Sequence, residues 1–126
     1  MSEESKIFFS VVIPTYERPT DLRVCLNSLS ADLQTTASIY EIIVSDDSKS
    51  DESKRLIEKE FPNVRWGKGK QTGPAGNRNA GVGRAKGKWL VFLDDDCIAQ
   101  EGYLNAYANA INANQDIRVF EGRIFA

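Results

Sequence analysis

Residues Trp89-Leu90-Val91-Phe92-Leu93 run directly into Asp94-Asp95-Asp96, so that an apolar pentad meets three carboxylates with no spacer. A run this short, apolar at every position, reads as a strand buried on both faces. Strands of that kind belong to parallel sheets covered by helices, and such sheets bind ligands in the crevice outside the carboxyl ends of their strands. The aspartates therefore stand at a ligand-binding edge. Like charges about 4 Å apart repel appreciably, and a divalent cation relieves the repulsion. Carboxylate oxygens suit Mg²⁺ or Mn²⁺, and Mg²⁺ typically takes one or two protein carboxylates alongside waters and substrate phosphates. The plainer alternative is a solvated acidic turn.

Outward from this stretch, the runs Ile7–Ile13, Ile39–Val44, a weaker Asn63–Trp66 and Ile117–Phe125 share its character and read as further strands. Between them lie helical patterns. Leu22, Cys25, Leu26, Leu29 and Leu33 recur behind Pro19 and Thr20, and Ser50-Asp51-Glu52 opens a segment that Pro62 closes after Phe61. A third segment runs from Gly73-Pro74 to near Gly87, and a fourth sets Tyr103, Leu104, Tyr107 and Ile111 on one side. The predicted order is β-α-β-α-β-α-β-α-β, an α/β fold with a mainly parallel sheet and helices on both faces.

The chain has 126 residues, 41% hydrophobic and 27% charged, which fits one domain over residues 1–126. It contains no histidine. That removes Ser/His/Asp and Cys/His nucleophile systems, His-ligated zinc and imidazole acid–base catalysis, leaving carboxylates, Arg/Lys, hydroxyls and backbone amides. A net charge of -2 argues against nucleic acid as a partner. Cys25 and Cys97 lack metal-type spacing and read as reduced thiols in a cytoplasmic protein. The polar start, Met1 to Lys6, does not read as a secretory leader, and no apolar run approaches the roughly 18 residues of a membrane span.

The segments that follow the other strands carry the remaining candidates. Pro14-Thr15-Tyr16-Glu17-Arg18 follows the first; there Tyr16 either stacks on a planar base or covers the core edge. Asp46-Asp47-Ser48 follows the second, with one carboxylate suited to capping a helix and the other to accepting from a base N–H or a ribose hydroxyl. In Gly73–Gly83, Arg78 shares a helical stripe with Ala75, Val82 and Ala85, so it is expected to point inward toward an aspartate or a ligand diphosphate. Glycines at 76, 81 and 83 each cost roughly 1 kcal/mol in a helix interior, which implies close approach of backbone or ligand. Cys97 has no evident base beside it and reads as a packing thiol.

Taken together, Val11-Val12-Ile13-Pro14-Thr15-Tyr16-Glu17-Arg18-Pro19, Glu41 to Ser48, Asn77-Arg78-Asn79-Ala80-Gly81 and Phe92 to Asp96, in this order, resemble the donor-binding half of a family-two glycosyltransferase. The resemblance covers roughly residues 7 to 125. It implies the GT-A, Rossmann-like fold and transfer of a sugar, with inversion, from a nucleoside diphosphate-sugar, a UDP-sugar first among them, to a saccharide or lipid-linked acceptor. It further implies that Pro14, Thr15, Tyr16 and Glu17 border the nucleotide, that Asp46 hydrogen-bonds the base, and that Arg78 faces base and diphosphate. Asp94 and Asp95 would lie toward the ribose and metal, and Asp96, with Asp94, would hold Mn²⁺ or Mg²⁺. Position 17 is usually Asn in such a motif. Family members continue into an acceptor-binding half that supplies the catalytic carboxylate, so no base is nominated here. The chain is expected to be the donor-binding part of a larger catalytic domain, with peripheral attachment to the inner face of a membrane left open for the longer protein, and with an open sheet edge suited to homodimer formation.

Three other readings meet specific obstacles or tests. A Mg²⁺-binding receiver-like signalling domain needs an acidic pair after the first strand, where Pro14-Thr15-Tyr16 stands. A sugar-phosphate nucleotidyltransferase needs a Gly-rich loop there. A non-catalytic nucleotide-sugar binding module differs from the transferase by turnover alone.

Overall fold

The computed structural model describes residues 6–122. Its elements are β1 (Phe9–Thr15), α1 (Pro19–Ser28), β2 (Tyr40–Asp46), α2 (Glu52–Glu60), β3 (Arg65–Lys68), α3 (Pro74–Arg84), β4 (Trp89–Phe92) and α4 (Tyr103–Ala113). The four strands form one parallel sheet in the order β3-β2-β1-β4. Val11 lies at the centre, opposite Ile42 on one side and Val91 on the other.

Because successive strand residues face opposite ways, β1 splits cleanly. Phe9, Val11 and Ile13 pack with Leu22, Cys25, Leu26 and Leu29 around α1, with Leu56 and Ile57 of α2, and with Leu104, Ala108 and Ile111 of α4. On the opposite face, α3 lies over β1 and β2. Helices thus cover both faces, as the alternation of runs implies. The close approach expected at the glycines is met at Gly81 by protein: a Cβ there would lie 2.6 Å from Val12 Cγ1, so the absence of a side chain lets α3 settle on the sheet.

Two sequence expectations are corrected. The first helix ends at Ser28, and Leu33, which continues its spacing, is exposed. Its neighbour Gln34 is buried instead: Nε2 donates to the carbonyls of Ser28 and Gln100, and Oε1 accepts from Leu104 N–H at the start of α4. The fifth strand, Ile117–Phe125, does not form over residues 117–122, where Val119 is 83% exposed and no ladder partner is present among the described residues. Phe120 packs its ring 5.8 Å from Trp89. The remainder of that run lies outside the described residues.

Candidate functional site

A crevice of about 690 Å³ opens at the carboxyl ends of β1, β2 and β4, within the size range of small-molecule sites. The segment after β1 contributes Pro14, Thr15, Tyr16 and Arg18, and α3 contributes Pro74, Asn77 and Arg78. Asp94, Asp95 and Asp96 line the far wall, while Asp47, Lys49 and Gln71 close the near one.

Thr15 joins these parts. It ends β1, the strand that lies between β2 and β4. Its carbonyl accepts from Asp47 N–H (3.1 Å) and from Asn77 Nδ2 (3.2 Å), while its hydroxyl donates to Asp95 Oδ2 at 2.8 Å. Asp95 is buried, and burial pushes its carboxyl above the ordinary range, although the Thr15 hydroxyl and the Arg18 charge pull the other way. Arg18 Nη1 stands 3.5 Å from Asp95 and 3.6 Å from Asp96.

Asp94 and Asp96 are exposed. Each offers an oxygen within 4.8 Å of the other and of Cys97 Sγ, a grouping in which two carboxylates fit a hard divalent cation. Burial, followed by the charges of Asp94 and Asp96, raises the Cys97 thiol, and burial pushes Cys25 up to about 12. Both sulfurs are therefore protonated at neutral pH. The Cys25 thiol donates to the Asp94 carbonyl at 3.6 Å, beneath the acidic turn.

Seven candidates from the sequence, Pro14, Thr15, Tyr16, Arg78, Asp94, Asp95 and Asp96, converge on the crevice. Tyr16 is 55% exposed there, so it does not cover the core edge. Glu17 and Asp46 do not line it. Glu17 sits at a left-handed φ of 51°; its N–H donates to Ser48 Oγ (2.7 Å), and its carboxylate accepts from the Ser50 hydroxyl, which holds its pKa down. It braces the turn after β1 against the turn after β2. Asp46 spends both oxygens within the protein, Oδ1 accepting from Ser48 N–H and Oδ2 from Trp66 Nε1. Its neighbour Asp47 lines the crevice in its place, with Oδ1 accepting from Gln71 N–H.

Arg78 also departs from expectation. The inward side of α3 is Asn77 and Gly81, one position away, and Arg78 is exposed at the crevice. Asn77 carries a buried Oδ1 with no hydrogen-bond partner, and spacing singled out its neighbour rather than it.

A sequence model described as Glycosyl transferase family 2 matches residues 10–123. The chain belongs to this family. Among curated relatives, it is 31% identical over 119 residues to the Campylobacter jejuni GalNAc(5)-diNAcBac-PP-undecaprenol beta-1,3-glucosyltransferase, covering 81% of this chain and 38% of that protein. It is 32% identical over 116 residues to the Staphylococcus aureus poly(ribitol-phosphate) beta-N-acetylglucosaminyltransferase TarS, covering 86% and 20%. The crystal structure of S. aureus TarS 1-349 superposes with a TM-score of 0.76 at 27% identity, covering 86% of this chain and 33% of that one. A second structure, of the same protein in complex with UDP-GlcNAc, gives 0.74 at 26% identity over 86% and 32%. This family 2 chain thus spans well under half the length of these relatives. Among its described residues no helix is long and apolar enough to cross a membrane.

Proposed function

We propose that this chain binds the nucleoside diphosphate-sugar donor of a family 2 glycosyl transfer, with a divalent cation and with inversion at the anomeric carbon. The observation that carries the reading is one crevice at the carboxyl edge of a parallel sheet, where Tyr16 and Arg78 face Asp94, Asp95 and Asp96. The TarS structures in complex with UDP and UDP-GlcNAc support a uridine nucleotide as the first candidate. A saccharide or lipid-linked acceptor is consistent with the names of the relatives.

In this reading Tyr16, at the rim, offers a ring face to the base, and Asp47 offers an acceptor for a base N–H or a ribose hydroxyl. Arg78 presents guanidinium donors to the diphosphate. Thr15 holds Asp95 in place, and Arg18 balances the charge of Asp95 and Asp96. Asp94 and Asp96 would hold Mn²⁺ or Mg²⁺, which supplies, when bound, Lewis-acid neutralisation of the charge that builds on the departing diphosphate. Deprotonation of the acceptor hydroxyl falls to a carboxylate from the acceptor-binding half that the family resemblance implies.

A thermal-shift titration with UDP, GDP and CDP, with and without Mn²⁺, tests this. Ligand at 100 times its Kd stabilises by about 2.7 kcal/mol, and the shift is expected to grow with Mn²⁺. No shift with any of the three in a folded sample sinks the reading. Turnover of a nucleotide-sugar by the protein separates a transferase from a non-catalytic binding module.

A further inference from the structure

In register with β1, Leu90 stands opposite Ser10 and Phe92 opposite Val12, so both extend the sheet face on which Val12 meets Gly81 of α3. The helix covers that face over β1 and β2 and leaves Phe92 48% exposed. A phenyl ring half in water on an edge strand has one visible use. Arg78 places its guanidinium carbon 5.7 Å from the ring centroid, inside the range at which a cation is held by an aromatic face. Among the described residues the ring is Arg78's one partner: its guanidinium makes no ion pair and no hydrogen bond. Arg78 lines the crevice, and its five donors are not spent on any described residue. A long, rotamer-rich side chain loses conformational freedom when it closes on an anion, and prior restraint lowers that cost.

We propose that Phe92 is a positioning residue, holding the Arg78 guanidinium at the crevice so that its donors meet the anionic part of a nucleoside diphosphate. The proposal rests on the donor-binding reading above. It requires an aromatic ring, because leucine supplies similar apolar bulk without the ring quadrupole.

The test is calorimetric titration of the full chain at low salt with UDP, GDP and CDP, each with MnCl₂. The proteins compared are wild type, Phe92→Leu, Phe92→Tyr, Arg78→Ala and the Phe92→Leu/Arg78→Ala double variant, each checked for an unchanged melting profile. Phe92→Leu is expected to weaken the tightest-bound nucleotide about two- to fivefold, Phe92→Tyr to stay within about twofold of wild type, and Phe92→Leu to add nothing once Arg78 is alanine. In the free protein the Arg78 Nε–H resonance is expected to move with Phe92→Leu and not with Phe92→Tyr. An equal loss with and without Arg78, or an unmoved resonance, overturns this role alone. Failure of wild type to bind any of the three nucleotides overturns the donor-binding reading and this role with it.

Discussion

Replacing Thr15 with valine keeps a β-branched side chain of nearly the same shape in β1 and deletes one hydroxyl. That hydroxyl donates to Asp95 Oδ2 at 2.8 Å, and both residues are buried, Thr15 at 2% and Asp95 at 7% exposure. A hydrogen bond to a charged group contributes about 1.5–3 kcal/mol; Arg18, 3.5 Å from Asp95 and half exposed, compensates little. Thr15→Val is therefore expected to cost about 2 kcal/mol. Interpolating between smaller and larger domains, that lowers Tm by roughly 6–10 °C. The pH dependence has a definite sign. Burial already raises the Asp95 pKa above the ordinary carboxyl value of 3.8, so in the folded state the ionised form is the strained one, and losing Thr15 raises the pKa further. The cost is greatest above the folded pKa of Asp95 and shrinks as falling pH protonates that carboxyl. Urea unfolding of wild type, Thr15→Val, Asp95→Asn and the double variant at pH 7.5 and near the Asp95 pKa measures this, with the cycle isolating the pair. A cost under about 0.5 kcal/mol, equal at both pH values and unaltered by Asp95→Asn, refutes the reasoning.

Other perturbations test other parts of the molecule. At Gly69 an added Cβ would meet Asp47 Oδ1 and Asn77 Oδ1; Gly69→Ala is expected to cost about 1–3 kcal/mol and to weaken nucleotide binding, whereas Gly83→Ala, with open space around it, gains up to about 1 kcal/mol in chemical denaturation. Glu41 accepts from Ser10 Oγ, Arg65 Nη1 and Lys86 N–H; burial pushes its carboxyl up, but these donors hold it below 4.5. Its stabilisation is fully present above that value and is lost as pH falls through the lower folded pKa, so Glu41→Gln is expected to cost about 1–3 kcal/mol at pH 7 and progressively less in acid. Asp96→Asn is expected to remove the Mn²⁺-dependent part of a nucleotide thermal shift while moving apo stability by no more than about 0.5 kcal/mol; persistence of the metal effect rules out Asp96 as a ligand. Light scattering over a concentration series checks whether β4, whose outer edge has no strand partner among the described residues, pairs two copies.

The sequence by itself determined the architecture and the location of the crevice. Short apolar runs at β1, β2 and β4, each followed by Asp or by Pro-Thr-Tyr, dictate a sheet buried on both faces with polar groups at its carboxyl edge. Apolar periodicity needs no knowledge of neighbours, so the main helices and four strands were legible within a few residues. The resemblance in four short segments named the family that the comparison with known proteins then established. Over residues 117–122 the apolar run misled because such a run forms a strand only where a ladder offers it partners, and none is present there among the described residues.

What tertiary structure decided is phase. Side chains alternate along a strand, so which of Asp46 and Asp47 reaches the crevice depends on where the ladder stops. It runs on to Asp46, paired with Thr15 and Lys68, and that turns Asp46 toward Trp66 and leaves Asp47 to the site. The rotation of α3 was equally hidden. It is set by Gly81 seating on Val12, which carries Asn77 inward and Arg78 out to the crevice and the ring of Phe92. One residue of phase separates a buried hydrogen-bonding group from a ligand-facing one, and only packing between distant segments selects it.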